Sequence, residues 1–239
     1  AVGGVHPNLF KGRTMIILEA KNDITKPKIA VVGCLHGNEL LGLDVFRAVQ
    51  ARITEFDNLL FIIANVGAYR ANKRSLDQVL NRSFPGDVRG NREQRIAAEI
   101  YRLVHDADML IDIHTTTSPG FGLAAISGQL SPIRKRIISA FEAKEVVIMK
   151  SDLLKMSLVG NTKEGVSLEY GVTLAEHEDL AASMVDTLLE LQKDTGIQKA
   201  SPFSANIYDV VGVIPKKGYT HLALENFKFS EELGGYPFI

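Results

Sequence analysis

Short β-rich apolar runs alternate with helix-length amphipathic segments through most of the 239 residues, and this alternation restricts the fold more than any other feature of the chain. Residues 28–34 read as a strand, and residues 39–52 as a helix with Leu40, Leu43, Phe46 and Val49 on its apolar face. A second β-rich run covers 59–64. A helix is expected over 91–105, with Ile96, Ile100, Leu103 and Val104 on one side, leading into a strand at 109–114. Further strands are expected at 122–126, 146–149 and 166–170, and a helix at 131–142. The longest helix, 175–193, repeats Leu180, Met184, Leu188 and Leu191 at helical spacing, a core stripe rather than a cofactor motif. The pattern predicts an α/β fold, a mixed and largely parallel sheet flanked by helices. After Ser201-Pro202 the chain turns to short β-rich pieces, 206–214 and 221–229, so a main unit over 1–200 and a small β-rich C-terminal appendage over 201–239 are expected. Internal repeats and low-complexity segments are absent.

Composition excludes several classes of function. Hydrophobic residues make up 46% and charged residues 23% of the chain, ordinary for a globular protein. A net charge of −1 with no basic tract argues against nucleic-acid binding. No apolar stretch is long enough to span a bilayer, so no membrane partner is expected. Cys34 is the single cysteine, which rules out an intrachain disulfide and a cysteine-built zinc finger and fits a reducing compartment. The chain opens on Ala1 rather than Met, without a secretory signal pattern, and the expectation is a soluble cytoplasmic protein.

Two apolar runs end in residues that ligate metals. Gly33-Cys34-Leu35-His36-Gly37-Asn38-Glu39 follows the run Ile29-Ala30-Val31-Val32, and Met109-Leu110-Ile111-Asp112-Ile113-His114 ends on a second histidine. Taken singly, a His-x-x-Glu is more often a surface polar pair, and a strand-end histidine more often a satisfied structural residue. Together they lie where open α/β sheets put their ligands, at the carboxyl ends of strands. If the chain turns helically after the first strand, the three-residue spacing lets His36 and Glu39 face one point. Two imidazoles and one carboxylate leave a fourth position open for water, the mark of a catalytic rather than a structural zinc site.

Other residues are weighed around that cluster. The polar stretch 65–90 lacks periodicity, and loops of that length in compact domains are functional or disordered. It carries Arg70, Lys73, Arg74, Asn81, Arg82 and Arg89. The pair Asn81-Arg82 suits a carboxylate clamp, with an Arg fork and an adjacent amide, whereas Arg70, Lys73 and Arg89 read as solvated. Glu169 ends an apolar strand and is the best candidate base, set against an ordinary strand-end surface carboxylate. Asp112 shares a strand face with His114, either fixing that imidazole or serving as a buried structural acid. Thr115 to Thr117 either hydrogen-bond around the site or open a loop. His177, in Ala175-Glu176-His177-Glu178-Asp179, reads as a solvated helix start. Cys34 reads as packing, and His6, His105 and His221 have no ligand-like neighbours.

As a set, Gly33 to Glu39, Asn65-x-x-Ala68, Arg74-x-x-Asp77-x-x-x-Asn81-Arg82, Asp112-x-His114-Thr115-Thr116 and Glu169-x-Gly171 resemble the succinylglutamate desuccinylase/aspartoacylase family, within the larger zinc carboxypeptidase-like group. Order and approximate spacing agree over residues 30 to 171. The resemblance implies a zinc-dependent hydrolase of the amide bond of a small N-acyl amino acid, with one zinc ion per chain on His36, Glu39 and His114. It further implies that Glu169 activates the water at the open zinc position, that Arg74 polarises the scissile carbonyl, and that Asn81 and Arg82 hold the substrate's α-carboxylate. The chain departs from the family pattern at Val66, where many members have proline, and at Val79, where an acid is usual. Residues 150–163 offer no counterpart of the family's side-chain-reading residues. A zinc carboxypeptidase acting on peptides and a non-catalytic small-molecule binding protein are the alternatives.

Overall fold

The computed structural model describes residues 12–116, 122–193, 203–213, 225–231 and 233–238. His6, Thr117, His221, the 221–224 part of the second β-rich piece and the expected boundary at 200/201 lie outside the described residues. Within them the chain runs β1 (Ile16–Lys21), β2 (Ile29–Gly33), α1 (Leu41–Ala51), β3 (Asn58–Ile63), α2 (Val66–Arg70), α3 (Arg92–Val104), β4 (Met109–Thr115), β5 (Leu123–Ser127), α4 (Pro132–Ala140), β6 (Glu145–Ile148), α5 (Ser151–Leu154), β7 (Gly165–Tyr170), α6 (His177–Lys193) and β8 (Asn206–Asp209).

The described strands form one eight-stranded sheet, ordered β1-β3-β2-β4-β7-β5-β6-β8. Only β1 on β3 and β5 on β7 pair antiparallel; β2 on β3, β2 on β4, β4 on β7, β5 on β6 and β6 on β8 are parallel. This is the mixed, largely parallel α/β sheet that the alternation predicts. Every residue of β2 is buried, as befits a central parallel strand covered on both faces. β1 was not anticipated: it carries Glu19 and Lys21 and pairs on one side only, at the sheet's edge. At the other edge β8 docks on β6, and the Tyr208 ring meets Phe227 at a tilt and Tyr236 edge-on.

Successive residues of a strand point to opposite faces, so the two faces can be read residue by residue. Val31, Phe61, Ile111, Val166, Leu168 and Tyr170 pack with Phe46 of α1, Ile137 of α4 and Met184 and Leu188 of α6. Val32, Ile62 and Leu110 face the other way, onto Ile96 and Ile100 of α3 and onto Leu80, Leu154 and Leu158. Asp112 and His114 therefore share the α3 face with Leu110, and Ser167 and Glu169 take it because their strand neighbours fill the opposite core. His177 departs from expectation. It is buried, and its Nδ1 lies 3.0 Å from Asp44 Oδ2 in the first turn of α1, so the start of α6 is tied to α1 instead of standing in solvent.

Candidate metal centre

α1 leaves β2 toward one face and α3 enters β4 from the other, placing β3 and β4 on opposite sides of β2. The carboxyl ends of β2 and β4 thus flank a switch in strand order, where open α/β sheets bind ligands. Past Gly33 the chain turns sharply through Cys34, whose φ of 55° lies in the left-handed region. The Glu39 N–H donates to His36 O at 3.1 Å, closing a turn that brings both side chains to one side. Gly37 is required at this turn. A Cβ there would lie 2.2 Å from Tyr69 N and 2.3 Å from Ala68 C, both backbone atoms of α2. Cys34 is fully buried and its Sγ donates to Glu39 O at 3.3 Å, so it packs at the strand's end; burial beside Glu39 pushes the thiol up to about 12.

His36, Glu39 and His114 converge here. All three are buried, and one ligand-capable atom from each lies within 4.8 Å of the others. Glu39 Oε2 is 2.9 Å from His114 Nδ1 and accepts from the Thr115 N–H at 3.3 Å. Asp112 Oδ2 is 2.8 Å from His114 Nε2 and accepts from Ser167 Oγ at 3.0 Å. Asp112 thus holds the imidazole at Nε2, as a carboxylate orients a metal-ligating histidine, while Nδ1 faces Glu39. His36 Nδ1 is buried with no hydrogen-bond partner among the described residues, a nitrogen left over for another ligand. Donor chemistry and spacing fit a divalent ion of the zinc type: two imidazoles, one carboxylate and no thiolate.

The electrostatics follow from burial and from these partners. Burial, reinforced by His114, lowers the His36 pKa to about 3, leaving a neutral ring. Burial also opposes charge on His114, but Asp112, Glu169 and the bonds to Asp112 and Glu39 outweigh it and raise its pKa well above the ordinary value. Burial alone would raise the Glu39 pKa, yet the His114 hydrogen bond and the neighbouring cations bring it down. Glu169 differs. It pairs in register with His114 across β4 and β7, on the same face, and burial raises its pKa despite the pull of His114.

The polar loop is shaped by side-chain bonds, which is why no periodicity announced it. Asn65 Oδ1 caps α2 through the Ala68 N–H, and a single 3₁₀ turn spans Leu80–Arg82. Arg74 stands at the rim, its side chain 54% exposed, with Nη1 donating to Glu39 Oε1 at 3.0 Å and Nη2 2.8 Å from His36 Nε2. The buried Asn81 accepts from the Leu158 N–H at 2.9 Å, and its Nδ2 lies 3.5 Å from His114 Nε2. Arg82 is exposed and donates to Asn81 O at 2.6 Å. Ser167 escaped the sequence reading; its signal was its place two residues before Glu169 on the same strand face. Glu93, also missed, lies fully buried behind the loop. His105 is exposed and bonds only to backbone carbonyls of its own helix.

Comparison with known proteins bears on the fold and the family. No curated protein matches the chain. Among solved structures, a succinylglutamate desuccinylase from Chromobacterium violaceum superposes with a TM-score of 0.68 at 17% identity, covering 90% of this chain and 76% of that one. A succinylglutamate desuccinylase from a Silicibacter species gives 0.59 at 22% identity, covering 74% and 60%. Murine aminoacylase 3 gives 0.56 at 23% identity, covering 69% and 65%. At these identities the likeness establishes the fold, and the chain spans less than two thirds of the length of the Silicibacter and murine proteins. The family model of the succinylglutamate desuccinylase/aspartoacylase catalytic domain matches residues 25–193, which hold every residue of the centre. The chain belongs to the succinylglutamate desuccinylase/aspartoacylase family.

Proposed function

We propose that the protein hydrolyses the amide bond of a small N-acyl amino acid in a zinc-dependent reaction. The observation that carries this reading is the gathering of His36, Glu39 and His114 at the ends of β2 and β4, with Glu169 beside them in register on β7, inside a matched family domain. His36, Glu39 and His114 would hold the zinc, which when bound supplies a Lewis acid that polarises a carbonyl and makes water acidic enough to attack near neutral pH. Glu169 takes the proton of the attacking water on its carboxylate and returns it to the leaving amine nitrogen. Its partial burial suits both steps, since a raised pKa lets the carboxyl hold that proton in between. Arg74, already turned toward the ligand set, donates to the oxyanion that develops on the carbonyl oxygen. Asn81 lies next to His114, and the exposed Arg82 donates to the Asn81 carbonyl, so the Asn81 amide and the Arg82 guanidinium together grip the substrate's α-carboxylate. Asp112, braced by Ser167, keeps the His114 ring oriented.

The test is amine release from N-acetylaspartate, N-succinylglutamate, other N-acyl amino acids and short peptides, by the native protein and by Glu169→Gln. The proposal expects release from at least one N-acyl amino acid. Glu169→Gln should lose about 10² to 10⁴ of that rate while keeping its metal. Release from peptides alone would make the protein a carboxypeptidase. Unchanged turnover in Glu169→Gln would remove Glu169 as the base, and tight binding of an N-acyl amino acid without turnover would leave a carrier.

A further inference from the structure

Glu93 takes no part in the chemistry proposed above, yet it is fully buried, and a carboxylate is rarely buried without compensation. It sits in the first turn of α3, where the helix dipole favours an acid. The dipole accounts for the charge and leaves the burial unexplained. The partners supply that explanation: Glu93 Oε1 accepts from the Leu76 N–H at 2.8 Å and from Asn65 Nδ2 at 3.2 Å, and Oε2 from the N–H groups of Asp77 at 3.1 Å and Gln78 at 3.4 Å. One carboxylate thus gathers three consecutive backbone amides and the residue that caps α2. The loop answers in kind. Asp77 Oδ2 accepts from the Arg92 N–H at 3.0 Å, and Gln78 bridges Asn91 Nδ2, at 2.9 Å, to Ser83 Oγ, at 2.6 Å.

This clip lies between the two parts of the loop that the proposed reaction uses. Arg74 precedes it by two residues, and the Arg74 carbonyl accepts from the Gly37 N–H at 3.2 Å, inside the His36–Glu39 turn. Asn81 and Arg82 follow it. We propose that Glu93 is a positioning residue: its carboxylate clips residues 76–78 onto α3 and so fixes the reach of Arg74 and of Asn81-Arg82 to the His36–Glu39–His114 cluster. The proposal rests on the deacylase reading for its rate measurement and is independent of it for its exchange measurement.

The experiment compares zinc-supplemented wild type, Glu93→Gln, Arg74→Ala and the double variant. The readouts are amide hydrogen exchange at Leu76, Asp77 and Gln78, bound zinc, and kcat and KM on an N-acyl amino acid that wild type hydrolyses. Glu93→Gln presents an amide N–H₂ where an oxygen accepted, setting donor against donor. Exchange at residues 76–78 should rise at least tenfold and bound zinc should stay at the wild-type level. kcat should fall by about 10- to 100-fold, as misplacement of a positioned group costs. In the Glu93→Gln background, Arg74→Ala should cost far less than in wild type, because the two act as one unit. A Glu93 that served stability alone would leave the Arg74→Ala cost unchanged, and that result overturns the proposal; so does wild-type protection at 76–78. If Glu93→Gln does not fold, Glu93→Asp, which keeps the charge and withdraws it by one methylene, carries the same readouts. Lack of turnover in wild type would defeat the deacylase reading, and the clip would then stand or fall on exchange at 76–78.

Discussion

Besides Glu39, two carboxylates flank His114, and their surroundings assign them different work. Asp112 is fully buried, lies 2.8 Å from Nε2 and is braced by Ser167. Replacing it with Asn keeps the shape and removes the charge that orients the ring, and zinc affinity should fall by about 10- to 100-fold by competition with a chromophoric chelator. Unchanged affinity would make Asp112 a purely structural acid. Glu169 carries the raised pKa. Burial penalises its charged form, so the folded protein keeps that proton to higher pH than the unfolded chain does. The stability this contributes is therefore present at low pH and lost as pH rises through the raised value. The base form, in turn, is populated only above that value. Carbon-13 NMR of the metal-free protein, assigned with Glu169→Gln, should show one glutamate titrating above the ordinary range, and Glu169→Gln should be at least as stable as wild type at neutral pH. A Glu169 that titrates normally would contradict this account of the base.

The turn after β2 and the clip on α3 are the elements that turn a sheet into a site. Gly37→Ala tests the first. With backbone atoms of α2 only 2.2 Å from the added Cβ, either the turn or α2 must move, at a cost of about 1–3 kcal/mol and a lower melting temperature. Zinc affinity should fall with it, because His36 and Glu39 flank the glycine; a variant with wild-type stability and affinity would show that the turn has slack. The sequence made β2 and the start of β4 legible as apolar runs buried on both faces, and β7 through its alternation of Val166, Leu168 and Tyr170 with Ser167 and Glu169. It made His36, Glu39 and His114 legible through their placement at the ends of those runs. It left β1 hidden, because an edge strand paired on one side tolerates Glu19 and Lys21. It left Glu93 hidden too, because an acid in the first turn of a helix already has a sufficient explanation in the dipole. The burial of His177 against Asp44 is a tertiary contact between α1 and α6, far apart in sequence, with no local signature.

Across the whole molecule, the two faces of the sheet divide the labour. Val31, Ile111, Val166 and Leu168 give α1, α4 and α6 an apolar surface to pack on, while the α3 face carries Asp112, His114, Ser167 and Glu169 at the strand ends. No helix of the described residues is long and apolar enough to cross a membrane. The family's catalytic-domain model ends at residue 193, before β8 extends the sheet edge, and all the residues to which we assign chemistry precede that point. The central claim is that His36, Glu39 and His114 form a single zinc centre on which amide hydrolysis depends, and titration of zinc into chelator-stripped protein, following amine release from an N-acyl amino acid, tests it most directly. The account predicts that activity is absent without metal, rises in proportion to added zinc and levels off at about one equivalent per chain, with no recovery in His36→Ala or His114→Ala. Full activity in the stripped protein, or undiminished zinc-dependent turnover in those variants, would contradict it.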